Sequence, residues 1–463
     1  MKALYIGAGY VGAASAAVMA KFGHEVVVYD TNKEKISAFN TFDRDKIEKF
    51  LFEQDLGGLV AQNKKRMTFL DDYQAFTHHL DDADLLFICV PTPISENGEY
   101  DLSMFYEALR ALMEALLKRN LGAQTKYITV VVKSTVPIDT PEIASADMTQ
   151  AGVKNFGIVS NPEFLVEGQA IKDSFSPDRV VVGASKEEDF KIMRAYYQRF
   201  YYSPGVNYIE VNTREAAAGK LLSNYILLSR LVTTFNVVGR VSESLSKINF
   251  EMLRKIIVSD RRLGGYGFYN SFYAGGSCLA KDTSALSRQL EKAGVDTEQM
   301  RKVLEGDCFQ RDHFYDRVIK EAGFSVKDKK IAVLGLSFKR DTGDIRNSGA
   351  IMIIEKLMKD GAGQIKVYDP ACVEQFKSWA GSNPVFSYCE SEEEALANTD
   401  GCFILTDWPQ FSTLDQLITK ICPPPFVIAD GRRMVSHSYQ KLQTAGYDIL
   451  AVGSPFLKGF TPR

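Results

Sequence analysis

The start of the chain constrains its fold more than any other part. Gly7-Ala8-Gly9-Tyr10-Val11-Gly12 sets three glycines at Gly-x-Gly-x-x-Gly spacing directly after a short apolar run, Lys2–Ile6. Glycine lacks a Cβ, so it can turn the chain and admit another backbone or a phosphate at close range. Ala13–Phe22 is small and apolar, which suits a helix lying close on a sheet, and Gly23 ends it. Glu25–Tyr29 reads as the next strand, closed by Asp30. Strand, glycine turn, helix, strand and acid in this order predict a dinucleotide-binding unit. The helix N-terminus would face the pyrophosphate. Asp30, 23 residues after Gly7, would bond both ribose hydroxyls and repel a 2′-phosphate, favouring NAD over NADP. Lys2 followed by apolar Ala3–Ala20 also looks like a secretory leader. The glycine spacing and the second strand favour the buried-strand reading, and no other run looks long and apolar enough to cross a bilayer.

At 463 residues the chain has room for about three domains of ~150 residues each. Strand-like runs at Leu85–Val90, Tyr127–Lys133 and Val180–Gly183 alternate with helical stretches such as Ser103–Lys118. They predict a doubly wound α/β domain over residues 1–204. Thr213–Val241 contains no proline and reads as one long, mostly buried helix, which also offers a subunit interface. Lys220 and Asn224 fall four apart on it and share a face. A lysine there could also snorkel to water. The polar run Lys327–Lys330 marks a linker end. Beyond it, strand Ile331–Leu334, turn Gly335, helix Ser348–Asp360, strand Ile365–Tyr368 and Asp369 echo the opening without its second and third glycines. A second α/β domain with a different ligand is expected. Lys339, Arg340 and Arg346 in its first turn, and Arg432 and Arg433 after strand Phe426–Ala429, suit a diphosphate or make a solvated basic edge.

With 55 Lys and Arg against 58 Asp and Glu, the net charge of −3 gives no reason to expect nucleic acid or an anionic membrane as partner. Seven widely spaced cysteines form no disulfide framework and contain no Cys-x-x-Cys, so a reducing, cytoplasmic setting is expected, with no metal site. One of them stands apart. In Gly275-Gly276-Ser277-Cys278-Leu279-Ala280-Lys281-Asp282 a thiol follows two glycines and opens a helical pattern, Asp282–Ala293. A thiol at a helix N-terminus beside a lysine is a better nucleophile. Taken alone, the same residues also describe a buried cysteine in a tight turn.

Together these residues give the chain its likeness to a known family. It resembles the UDP-glucose/GDP-mannose dehydrogenase family over nearly its whole length. The likeness runs in order through Gly7–Gly12, Ser134-Thr135-Val136-Pro137, Asn161-Pro162-Glu163-Phe164-Leu165, Glu167-Gly168 and Pro177-Asp178-Arg179-Val180. It continues through Lys220 with Asn224, Arg262 with Gly264, Gly275–Asp282, Gly335–Lys339 and Asp344-Ile345-Arg346. The resemblance implies an α/β protein with two Rossmann-like doubly wound domains joined by a central helical domain with a long helix. The NAD-binding domain would span 1–204, the helical dimerisation domain 205–310 and the UDP-sugar domain 325–463. It also implies oxidation of the C6 alcohol of UDP-glucose to a carboxylate with two NAD, in a homodimer or higher oligomer.

Carried onto this chain, Cys278 would be the nucleophile, forming a thiohemiacetal and then a thioester. Lys220 would stabilise the negative oxygen, Asn224 would position it, and Asp282 would move protons through water. Glu163 would serve thioester hydrolysis and Thr135 would position water. The cofactor would meet Gly7, Gly9, Tyr10, Val11, Gly12, Asp30, Lys35, Thr92, Thr135, Glu167, Lys281 and Arg346. The substrate would meet Glu163, Phe164, Leu165, Lys220, Asn224 and Gly275, with Lys339 and Arg433 on the UDP part and Arg262 reaching in from a neighbouring subunit. The chain departs from the family pattern at Ala217, Phe235-Asn236, Ala280, Glu53-Gln54-Asp55-Leu56 and a loop rich in tyrosine, Tyr266, Tyr269 and Tyr273. Rival readings are action on GDP-mannose or a UDP-N-acetylhexosamine, a 3-hydroxyacid dehydrogenase, and a non-enzymatic NAD sensor. Neither of the last two needs Cys278, Lys220, Asn224 and Asp282 together.

Overall fold

Parallel strands are covered on both faces, so they read as short, nearly unbroken apolar runs. The chain has two series of them. A computed structural model describes residues 1–119 and 125–460. The first series is β1 (Lys2–Ile6), β2 (Glu25–Tyr29), β3 (Met67–Leu70), β4 (Leu85–Ile88), β5 (Ile128–Val132), β6 (Phe156–Ser160), β7 (Arg179–Ala184) and β8 (Asn207–Val211). These form one sheet in the order β3-β2-β1-β4-β5-β6-β7-β8. All neighbours run parallel except β6 and β7, where Val159 lies opposite Ala184. The second series is β9 (Lys330–Leu334), β10 (Gln364–Tyr368), β11 (Phe386–Tyr388), β12 (Gly401–Ile404), β13 (Val427–Asp430) and β14 (Asp448–Ala451). It forms an all-parallel sheet in the order β11-β10-β9-β12-β13-β14. In both sheets the order reverses at the first strand. Ligands of doubly wound sheets sit in the crevice at the carboxyl end of such a switch point.

Side chains alternate across each sheet with period two. In the first, Tyr5 and Phe87 join the core on one face, while Leu4, Ile6, Leu86 and Ile88 join the core on the other. In the second, Val333, Val367 and Phe403 face one way and Ala332, Leu334 and Ile404 the other.

The contacts divide the chain into two units, residues 1–223 with 284–296, and residues 224–283 with 297–463. The boundary expected at residue 204 cuts off β8. Its sequence, Asn207-Tyr-Ile-Glu-Val, alternates in polarity and is half exposed, as an edge strand is, so it lacks the apolar run by which the inner strands are found. The 284–296 segment belongs to the first unit through definite bonds. Gln289 Oε1 accepts the Ile138 N–H at 3.1 Å, Arg288 Nε donates to the Asn97 carbonyl at 3.0 Å, and Lys292 pairs with Glu99 at 2.6 Å.

The expected long helix is present as Thr213–Thr233, but Thr234–Gly239 widens into a π-helical turn before Arg240–Ser244. Thr234 Oγ1 bonds the Arg230 carbonyl and Asn236 Nδ2 bonds the carbonyls of Val232 and Gly306. Side chains that bond the carbonyl four residues back compete with the regular helix ladder. By length and composition alone, Thr213–Ser244 could cross a bilayer, which the sequence reading did not anticipate. Its apolar residues Ile226 and Val237 are exposed.

Candidate active site

The glycine turn after β1 has the geometry its sequence requires. Gly7 takes φ +106°, and a Cβ there would meet the Cys89 carbonyl at 2.5 Å. At Gly12 a Cβ would meet the Gly7 carbonyl at 2.0 Å, so this glycine lets the helix Tyr10–Lys21 lie against the turn. A Cβ on Gly9 would meet nothing within 4 Å, which leaves that face of the turn open to a phosphate. Asp30 directly follows β2 beside this turn. Its Oδ2 accepts the Ala8 N–H at 2.8 Å and Lys35 Nζ at 2.9 Å, and its Oδ1 accepts the Asn32 N–H at 2.9 Å. These residues fit a dinucleotide, with Lys35 holding the carboxylate that would read the ribose. Thr92 donates to the Thr135 carbonyl at 2.7 Å, tying the turns after β4 and β5 together. Glu167 precedes a backbone held by Glu53, whose buried carboxylate accepts the N–H groups of Gly168 and Ala170 at 2.9 and 2.7 Å. Sequence reasoning noted Glu53 only as a departure from pattern.

A second cluster in the same unit lies after β6. Lys220 is 5% exposed, and its Nζ stands 3.2 Å from Glu163 Oε1. Glu163 Oε2 accepts the Leu165 N–H at 2.6 Å, which folds the 163–165 turn on itself. Phe164 lies between two cations, with Arg179 3.8 Å and Lys220 5.4 Å from its ring centre. Beneath them is a residue the sequence reading passed over. Lys133 directly follows the apolar strand β5, is buried, and donates to Asn161 Oδ1 at 3.1 Å, where the Tyr197 hydroxyl also donates at 2.8 Å. Burial pushes the Lys133 ammonium below its ordinary pKa, while Cys89 and Glu163 oppose the shift. A cavity of about 190 Å³ opens beside this cluster, lined in part by Lys133, Phe164 and Arg179.

The second unit holds the cysteine. Cys278 is exposed and its carbonyl accepts the Asp282 N–H, so it caps the helix Leu279–Lys292. The glycines before it take φ +67° and +80°. A Cβ on Gly276 would meet the Phe338 ring at 2.8 Å. One turn into the helix, Asp282 is 1% exposed and accepts from Asn224 Nδ2 and Lys281 Nζ, each at 2.6 Å. Lys281, expected near the cofactor, is thus an ion-pair partner of Asp282. Lys220 and Asn224 lie one helical turn apart, as their spacing requires.

The remaining expected residues have contacts of their own. Arg262, with its side chain 89% exposed, pairs with Asp260 at 2.6 Å. Arg346 is in the second unit, where it pairs with Asp344 at 2.6 Å. Lys339 lies 5.7 Å from the Phe338 ring centre. Arg433 donates through Nη1 to the Val452 carbonyl and Ser454 Oγ at 2.8 Å, and Arg432 donates to the carbonyls of Phe338 and Leu405. Both arginines thus brace the strand ends of the second sheet.

The second sheet repeats the first turn closely. Gly335 donates to the Tyr368 carbonyl as Gly7 does to that of Tyr29, each at 2.8 Å. Asp369 Oδ2 accepts the Leu336 N–H at 2.8 Å, as Asp30 does for Ala8. There the likeness stops. The same oxygen of Asp369 also accepts the Ser337 N–H and hydroxyl, both at 3.1 Å, and Trp408 Nε1 at 3.0 Å. Ringed by donors and 3% exposed, that carboxylate has no face left for a ribose.

Known proteins match this arrangement along its length. Residues 1–201 match the NAD binding domain of the UDP-glucose/GDP-mannose dehydrogenase family, 214–312 its central domain and 332–437 its UDP binding domain. The chain is 32% identical to the UDP-glucose 6-dehydrogenase TuaD of Bacillus subtilis, over 100% of this chain and 95% of that protein. It is 31% identical to UDP-glucose 6-dehydrogenase 1 of Glycine max, over 98% and 97% of the two chains. Among solved structures, a UDP-glucose dehydrogenase from the archaeon Pyrobaculum islandicum superposes with a TM-score of 0.83 at 28% identity, over 94% of each chain.

Proposed function

We propose a specific reaction for this chain, which belongs to the UDP-glucose/GDP-mannose dehydrogenase family and is an NAD-dependent nucleotide-sugar dehydrogenase: it oxidises the C6 alcohol of UDP-glucose to the carboxylate of UDP-glucuronate through a thioester on Cys278. The observation that carries the reading is an exposed thiol at the head of a helix whose first turn holds the buried Asn224–Asp282–Lys281 network. The α/β region that ends with β8 holds NAD, the central helices join subunits and 325–463 hold the UDP part. NAD, when bound on the glycine turn and Asp30, supplies the oxidant for both oxidations. The chain's own groups do the rest. Cys278 adds to the aldehyde carbon and keeps it bound between the two steps. Lys220, inside a water-poor setting, stabilises the negative oxygen in each. Asn224 positions that oxygen, and Asp282 passes protons through water. Glu163, with Thr135 placing the water, assists hydrolysis of the thioester.

Support for glucose as the sugar comes from the relatives' names and from full-length identity. The exposed apolar residues Ile226 and Val237 on the long helix support a homodimer or larger assembly. Seven free cysteines support a cytoplasmic setting. The test is to count NADH against sugar for the purified protein on UDP-glucose, GDP-mannose and two UDP-N-acetylhexosamines. Two NADH per UDP-glucose, with UDP-glucuronate as product, is the expected result. One NADH with free aldehyde would overturn the covalent route. Turnover of another nucleotide sugar, with none of UDP-glucose, would overturn the substrate alone.

A further inference from the structure

The chain that leads to Cys278 is held at two points by groups outside it. At its start, the Ala274 N–H donates to Asp307 Oδ1 at 2.9 Å. Two residues later, Asn347 Nδ2 donates to the Gly276 carbonyl at 2.9 Å, and the Gly276 N–H donates to the Asn347 carbonyl at 3.3 Å. The Tyr273 hydroxyl closes the set on Asn347 Oδ1 at 2.8 Å. Between the two anchors lie Gly275 and Gly276, the residues least able to hold a conformation of their own. The anchors differ in kind. Asn347 is a neutral amide that bonds on three sides. Asp307, on the helix Glu298–Lys320, is a carboxyl group 2% exposed. A buried carboxylate is expensive to keep in place of an amide of the same shape, which would accept the same N–H. A charged acceptor, however, grips a backbone N–H roughly twice as strongly as a neutral one.

We propose that Asp307, as a carboxylate, is a positioning residue that sets the 274–278 loop and so the placement of the Cys278 thiol, an inference that rests on the covalent reading above. Its surroundings make that grip depend on protonation. The charged groups facing it are Arg311 on its own helix and Arg432 after β13, with the Tyr269 and Tyr273 hydroxyls and the Cys308 thiol nearby. Arg311 bonds Asp312 and Met352, and Arg432 bonds the Leu405 and Phe338 carbonyls. Burial pushes the Asp307 carboxyl up to about 6, against the lowering effects of the Ala274 N–H and the two guanidinium groups. Above that pH the loop is held by an ion, and below it by a neutral acid.

The experiment compares wild type with Asp307→Asn, which keeps the shape and an acceptor but cannot ionise. Two rates are followed from pH 5 to 8: kcat on UDP-glucose, and alkylation of Cys278 by iodoacetamide, read by peptide mass so that Cys308 does not interfere. Thiol ionisation affects both proteins alike and cancels in the ratio. The wild-type to variant ratio should be about tenfold at pH 8, from the loss of a charge-assisted bond. It should fall toward one at pH 5, with a bend near 6. KM for NAD should stay unchanged. Asp307→Ala, which has no acceptor at all, should be slower than Asp307→Asn at every pH. A ratio that is flat across the range in both rates would overturn the proposal. If Cys278→Ala keeps turning over, the covalent reading falls; the alkylation ratio then still decides whether Asp307 sets the loop.

Discussion

A thiol exposed at the head of a helix meets an electrophile without any rearrangement of the chain, and Cys278 has that setting. Cys278→Ala should therefore lower acid formation at least about a thousandfold, the scale on which a covalent nucleophile acts. NAD affinity, measured by fluorescence titration, should be unchanged, because the glycine turn and Asp30 lie in the other unit. Turnover within tenfold of wild type would remove the covalent step. At this scale the residues proposed to react are ones the sequence displays: Lys220 and Asn224 are polar groups four apart on a largely apolar helical pattern, and Asp282 follows Cys278 by four on another helix. The residues that brace them are less legible. Glu53, Lys133 and Asp307 each act on a backbone group or amide far along the chain: Glu53 on Gly168, Lys133 on Asn161, Asp307 on Ala274. Nothing in the local sequence names such a partner. The arginines show the converse. A basic strand end suits a diphosphate or makes a solvated edge; that Arg433 and Arg432 also turn guanidinium nitrogens to carbonyls is something a charge pattern cannot foretell.

Among elements, the loop before Cys278 is the most confined. Gly276 combines φ +80° with a ring edge of Phe338 where a Cβ would go, at 2.8 Å. Gly276→Ala must both strain the backbone and displace the ring. It should lower unfolding free energy by about 1–3 kcal/mol, read by urea denaturation. It should also reduce kcat by at least tenfold while NAD binding stays intact. An alanine variant as stable and active as wild type would show that the loop has other conformations open to it. Several inner strands of both sheets were legible because burial on two faces demands unbroken apolar runs, but the inner strands β6 and β12 were not identified. The π-helical turn at Thr234–Gly239 was not, since it arises from two side chains bonding carbonyls four residues back and leaves the apolar pattern intact. The echo between the two sheets was visible as strand, glycine, helix, strand and acid. That Asp369 would be walled in by Trp408 and Ser337 was not, because Trp408 lies 39 residues further on.

For the whole molecule, acid weakens the fold in part through His24. Burial pushes its imidazole down to about 4, with its ring centre 4.5 Å from that of Tyr196 and its Nδ1 buried without a partner. A depressed histidine pKa means that the unfolded chain takes up a proton before the folded one does. Stability from this group is thus full above pH 6.5 and is lost as pH falls toward 4. Because the ring is partly exposed and screened by solvent, the loss between pH 7.5 and 5 should be about 1 kcal/mol. His24→Leu should shed less stability than wild type over that interval, by about that amount, in paired urea titrations; equal losses would mean that the ring finds water or a partner.

The first unit is also discontinuous. Its 284–296 segment returns to it after residues 224–283 have been assigned to the other unit. A ribosome adds roughly 5–20 residues per second and releases domains in order from the N-terminus. The eight-stranded sheet is therefore complete in sequence at Val211, yet for several seconds of synthesis it waits for the helix that binds Ile138, Asn97 and Glu99. During that wait the nascent sheet has every strand but lacks a piece of its cover, so the two halves of this protein cannot mature one after the other as independent beads. The thiol loop emerges just before the helix that closes the first unit, and the same stretch of new chain finishes one half as it begins to equip the other.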